Sequence, residues 1–147
     1  MATNPLVDQG VLNRLRGSVI WADFPQLNVT AAYLGAEAIR LALEGDAVEY
    51  INTMTGAVSS PQPYRMASLT LHLLKTQQLA DLYKKQEEAN AVLGAGTVRP
   101  DAAALSPYPL VNCSILGVSD LNFAGQDPGY AVRIRGYYLI NADLWAL

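Results

Sequence analysis

Residues 66–74 read MASLTLHLL and run straight into KTQQLADLYKKQEEANAVLG over 75–94. In the first stretch Leu69, Leu71 and Leu73 alternate with Ser68, Thr70 and His72, the period-two pattern of a strand with one packed and one polar face. In the second the period lengthens: Leu79, Leu82, Tyr83, Ala89 and Leu93 recur at helical spacing. Thr76 stands where it can cap the start and Gly94 where it can close the end. The opposite face, with Asp81, Lys84, Lys85, Glu87 and Glu88, is mixed in sign and reads as solvated. The switch predicts one α-helix, over about residues 76–93, in a chain whose other periodic segments are strands.

Working outward, Leu15 to Ala22 carries Val19, Ile20 and Trp21 and stops before Phe24-Pro25, a strand bounded by a turn signal. Leu27 to Ala32 is expected to pair nearby. In Glu37 to Leu43 the residues Ile39, Leu41 and Leu43 share one face. Gly94-Ala95-Gly96 reads as a helix stop, followed by a loop through Pro100, Pro107 and Pro109. Leu110 to Val118 and Tyr130 to Ile140 are rich in Val, Ile and Tyr and read as strands, separated by the turn Asp127-Pro128-Gly129. In the last strand Val132, Ile134, Tyr138 and Ile140 share one face, and Arg133, Arg135 and Tyr137 the other. No repeat or linker divides the chain, so one domain over 1–147 is the simplest organisation. Six to eight short strands with one helix predict a mainly β fold, a sandwich or barrel flanked by that helix.

Half of the residues are hydrophobic and only 16% are charged, against about 25% in an ordinary soluble domain. A chain of this length buries a real core, so the shortage of charge points to surface covered by other subunits. A net charge of −3 argues against binding nucleic acid by phosphate neutralisation. The single Cys113 forms no internal disulfide and reads as a small buried thiol. The N-terminus lacks the pattern of a secretory signal, and the longest uncharged stretch, residues 102–119, is broken by Ser106, Pro107, Pro109 and Asn112, which suits no membrane span. The expectation is a soluble, intracellularly made protein without membrane anchoring. The charges are also unevenly placed: Glu37, Glu44, Asp46 and Glu49 face only Arg40 within residues 37–60, a local acidic excess.

Glu44 to Tyr64 is too long for a tight turn and too apolar for a flexible loop, because Val48, Tyr50, Ile51, Met54 and Val58 are spread along it. Either it folds over its own sheet, or it forms a long hairpin centred near Asn52 to Gly56 that packs on a neighbouring copy. Tyr64, Tyr108, Tyr130, Tyr137 and Tyr138 suit subunit interfaces as well as a core or its rim.

Catalytic and cofactor signatures are missing. His72 is the only histidine, and neither H-E-x-x-H nor paired C-x-x-C occurs, so neither a metal nor another cofactor is expected. Beside Ser68 and Thr70, and without a G-x-S-x-G elbow, His72 reads as a surface or interface histidine rather than a catalytic one. Gly94-Ala95-Gly96 follows a helix instead of opening one and is no phosphate cradle. Glu87 and Glu88 point to different sides of their helix and make no carboxylate pair. The reading is a protein that is not an enzyme.

Three stretches carry a resemblance: NPLVDQGVLNRLRGSVIWADFPQLNV from residue 4, SPQPYRMASLTLHLLKTQQLADLYKKQ from residue 60, and GYAVRIRGYYLIN from residue 129. Together they resemble the tail tube proteins of contractile-tailed bacteriophages, over most of the chain. The resemblance implies a β-sandwich or barrel with one flanking helix, an N-terminal arm over 1–14, and six copies in a ring. Such rings stack helically into the hollow tube that conducts the viral genome into the host cell. The long hairpin that meets the adjacent ring would be 44–64, with Val48, Tyr50, Ile51, Met54 and Val58 as inter-ring contacts. Implied partners are further copies of the chain, a tail sheath protein, baseplate or tube-initiator and tail terminator proteins, a tape measure protein in the lumen, and double-stranded DNA passing without specific binding. The implied location is the virion tail, after synthesis in the host bacterial cytoplasm. A conduit of neutral or negative lumen keeps phosphates from adhering, which makes Glu37, Glu44, Asp46 and Glu49 lumen-facing candidates. A monomeric β-barrel holding a small apolar ligand, and a secretion-system tube ring, are the alternatives.

Overall fold

The computed structural model describes residues 6–7, 9–12, 15, 17–102, 104–119 and 121–145. Its strands are β1 (Ser18–Trp21), β2 (Leu34–Leu43), β3 (Val48–Asn52), β4 (Ala57–Pro61), β5 (Tyr64–Leu74), β6 (Val92–Arg99), β7 (Tyr108–Val118) and β8 (Gly129–Leu139), with one helix, α1 (Gln78–Ala89). Six strands form an antiparallel sheet in the order β1-β6-β7-β8-β5-β2, and β3 and β4 form a separate two-stranded sheet. The fold is mainly β, a curled half-barrel with one helix, as the periodicities require.

The alternation in 66–74 has the predicted consequence. Ala67, Leu69, Leu71 and Leu73 are buried, while Ser68, Thr70 and His72 line the polar face. Burial continues across the register into Val132 and Ile134 of β8, then Cys113 and Ile115 of β7, and Leu79, Ala80 and Tyr83 of α1 close over it. At the centre Trp21 Nε1 donates to Tyr83 Oη at 2.8 Å, and Tyr83 Oη donates to the carbonyl of Leu27 at 2.6 Å. No buried side-chain nitrogen or oxygen among the described residues is left without a partner, as a dry core demands.

Several local expectations are corrected. The helix is shorter than 76–93: it runs from Gln78, after Gln77 rather than Thr76 at the cap position, and ends as the Asn90 amide bonds the Gln86 carbonyl. Ala91 then takes a left-handed φ of 59°, and the chain turns into β6. Gly94-Ala95-Gly96 is therefore not a helix stop but part of a strand, with register shifts against β7 on both sides of Gly94. Its glycines answer a packing demand: a Cβ on Gly96 would lie 2.4 Å from the Trp21 ring, and Gly94 has a φ of +73°. The segment 27–32 is not a strand. Val29 makes one bridge to Val19 between the 3-10 turns Pro25–Leu27 and Ala31–Tyr33, and the Trp21 amide of β1 donates to Asn28 Oδ1 at 2.8 Å rather than to a backbone carbonyl. The strand expected from Glu37 starts at Leu34, and the flanking strands at Ser18, Tyr108 and Gly129 are likewise shifted by one to three residues.

Candidate assembly surface

The hairpin is the part of the molecule with least of itself to pack on. After Leu43 the chain turns through Glu44–Ala47, and β3 and β4 pair in strict register from Val48 opposite Pro61 to Asn52 opposite Ala57. The Thr53 amide closes the turn onto the Gly56 carbonyl at 2.8 Å. Its base is tied to the end of β8. Asn141 Nδ2 donates to the carbonyls of Ala47 (3.1 Å) and Gln62 (2.7 Å), and the Gln62 amide bonds Ala47 at 2.9 Å. The alternative of a loop folded over its own sheet does not occur: residues 49–59 are all exposed.

Cross-strand partners share a face, so the register sorts the apolar side chains. Ile51 and Val58 lie opposite each other on one face, with Glu49 and Ser60; Tyr50, Val48, Ala57 and Pro61 belong to the other. Ile51 is 57% exposed, Val58 55% and Tyr50 69%, and Met54 at the tip is fully exposed. All five residues singled out by sequence are thus brought onto one hairpin, with Val48 half-buried at its root. What the sequence did not reveal is the cross-strand pairing, in which each face carries apolar side chains beside polar ones, Ile51 and Val58 with Glu49 and Ser60, and Tyr50 with Asn52 and Ser59.

The four acidic candidates do not form one patch. Glu37 sits in a wide bulge where Gly35–Ala38 of β2 stand opposite His72 alone between the Leu34–Leu73 and Ile39–Leu71 pairs. Ala38 there has a φ of 55°, and Glu37 Oε2 lies 3.1 Å from His72 Nδ1. Glu44 takes Arg135 with both oxygens, at 3.1 and 2.6 Å, a fork geometry suited to guanidinium. Both belong to the polar face of the sheet, where the register also places Arg40, Thr70 and Arg133 in one row. Asp46 and Glu49 lie instead on the hairpin, where Gln62 Nε2 donates to Glu49 at 3.4 Å. The tyrosines lean on one another: Tyr64 on Tyr137 and Tyr108 on Tyr138, at centroid distances of 5.4 and 5.6 Å. Tyr108, Tyr130 and Tyr138 also pack against the core.

A second feature is the seam of the half-barrel. Between edge strand β2 and the ends of β1, β6 and β7 runs a cleft of about 700 Å³. Leu34, Ile39 and Leu41 supply one wall, Val98 and Tyr108 the other, and Arg99 and Asp101 are the charged residues of its lining. No residue of β3 or β4 reaches it.

His72 has Glu37 as its partner, and no hydroxyl or thiol hydrogen-bonds it among the described residues. Cys113 is wholly buried, and burial pushes its thiol from 9.0 up to about 11, which disfavours the thiolate that nucleophilic or metal-binding chemistry needs. Burial likewise raises the Tyr83 hydroxyl. Among the described residues no group of His, Cys, Asp or Glu converges to hold a metal, and no helix is long and apolar enough to cross a membrane. Compared with protein-family models and with curated proteins, the chain matches none. Of the N-terminal arm, residues 1–5, 8, 13 and 14 lie outside the described residues; Leu6, Val7, Val11 and Leu12 are exposed.

Proposed function

We propose that this chain is a structural subunit of a phage tail tube, assembling into hexameric rings that stack into a hollow conduit for the viral genome in the virion. The observation that carries the self-assembling part of the reading is a run of large apolar side chains, Tyr50, Ile51, Met54 and Val58, facing solvent on a single projecting element. The tube itself rests on the resemblance of the three sequence stretches. An outer sheath, initiator, terminator and tape measure proteins come with that resemblance and with nothing else.

The polar sheet face tempers one detail. With the Glu44 carboxylate held by Arg135, a repulsive lumen would rest on Glu37, Asp46 and Glu49. Negative-stain electron microscopy of the purified protein at rising concentration tests the function. Hollow tubes of uniform width support it; a monodisperse 15.8 kDa species at every concentration refutes it. The seam cleft favours a second reading, a monomeric half-barrel that holds a small apolar ligand. That reading predicts the monodisperse species together with saturable uptake of an apolar dye. A secretion-system tube ring would form similar tubes and is told apart by genomic setting.

A further inference from the structure

The hairpin is a sheet of its own, and no ladder joins β3 or β4 to the six-stranded sheet. Something else must set the direction in which it points. The incoming chain is anchored before the hairpin begins: Arg65 Nη2 donates to the Leu43 carbonyl at 3.1 Å, and Arg135 holds the Glu44 carboxylate. Gly45 then takes a left-handed φ of 77°, a point about which the chain can swing. From Asp46 to Gln62 the hydrogen bonds among the described residues run within the ribbon, save the two that Asn141 makes. Its Nδ2 reaches the Ala47 carbonyl of the incoming arm at 3.1 Å and the Gln62 carbonyl of the outgoing arm at 2.7 Å. Those two bonds use the whole donor capacity of one side-chain amide, which neither a serine hydroxyl nor an ionised aspartate could match. The Gln62 amide bonds the same Ala47 carbonyl at 2.9 Å, so both arms and Asn141 close into one knot at the foot of the hairpin.

We propose that Asn141 is the positioning residue of the hairpin. It fixes the direction of β3 and β4 against the body of the subunit, and only after β8 has paired, so that an aimed hairpin is shown only by a chain whose core is closed. Asn141 stands two residues beyond β8, with a left-handed φ of 53° that asparagine tolerates better than most side chains. It comes within reach of Ala47 and Gln62 through the register of β8 on β5, which sets Leu139 opposite Tyr64 and lets the Ile140 amide bond the Pro63 carbonyl at 3.2 Å. Until that register forms, the hairpin is made but swings about Gly45. The latch stands on this geometry alone; its consequence for assembly rests on the self-assembly reading above.

Asn141→Gly keeps the left-handed backbone at no steric cost and removes both donors. Asn141→Asp keeps the side-chain shape and turns acceptors toward two carbonyls. Spin labels on Met54→Cys at the hairpin tip and on Lys84→Cys, exposed on α1, report the distance between hairpin and body in the full chain at dilution, with the buried Cys113 left in place. With Asn141 present one narrow distance is expected. In both variants the distribution broadens, and the Gln62 amide exchanges about tenfold faster, a change of about 1.4 kcal/mol. A narrow distance in the two variants overturns the latch, as does a broad one in the parent. In rising urea the parent distance should broaden together with the change in tryptophan fluorescence; broadening at lower urea overturns the coupling to β8. A smaller aimed fraction raises the concentration needed for tubes by the same factor, about tenfold, and an unaltered threshold overturns the consequence for assembly. A parent that forms no tubes but shows the change from narrow to broad leaves the latch standing and removes the tube reading.

Discussion

Trp21 shows how one side chain dictates others at a distance in sequence. Its ring is buried against β6, and a methyl group on Gly96 would come within 2.4 Å of it. Gly96→Ala is therefore expected to cost about 1–3 kcal/mol through overpacking, seen as a lower urea midpoint with an unchanged slope. Cys113 makes the pH dependence readable. Its thiol titrates near 9.0 in the unfolded chain and about 11 in the fold, so the folded state holds the proton more tightly. The resulting stability is complete below pH 9 and is lost as pH rises toward 11, by about 3 kcal/mol at 1.36 kcal/mol per unit. Denaturant midpoints measured between pH 8 and 11 should fall steeply, and Cys113→Ala should flatten the fall; Tyr83, raised by burial, acts at still higher pH.

Among the elements, the hairpin separates folding from assembly. Its apolar side chains touch water, not the core, so Ile51→Asp and Met54→Asp should leave the stability of the monomer, read from denaturant unfolding, within about 0.5 kcal/mol of the parent while shortening or abolishing tubes in micrographs. Unchanged tube length would count against any role of the hairpin in stacking. This element was legible in the sequence as a segment too apolar to be a loop, and β5 and α1 were legible through their clean periods. The rest was hidden for physical reasons. In β6 Gly96, which admits Trp21, and Gly94, at a left-handed φ beside Asp23, erase the alternation of Val92 to Arg99. At Gly35–Ala38 a bulge breaks the register, and no residue pattern announces a non-glycine residue at a φ of 55°. The seam was invisible because its walls come from β2 on one side and from the ends of β6 and β7 on the other, segments far apart in sequence that meet only once the sheet curls. The acidic window looked like one patch because sequence proximity ignores Arg135 and His72, which lie far along the chain from Glu44 and Glu37.

For the whole molecule, the few charges and the exposed apolar side chains of the hairpin make assembly a matter of apolar burial. Tubes are accordingly expected to persist when salt rises from about 0.1 M to 1 M, where the screening length falls from about 10 to 3 Å; dissolution of the tubes on that change, followed by light scattering, would show that ion pairs hold them. The sheet order carries a different consequence, for the birth of the protein. β6, β7 and β8 form a meander and β2 and β5 form a pair, and β8 is the one strand that joins the two halves. β1 must also wait for β6, since Ser18 pairs with Arg99. The hairpin, by contrast, is complete once residue 61 has been made. A ribosome carrying this chain thus displays the sticky hairpin long before the keystone strand arrives, and closure of the core waits for β8.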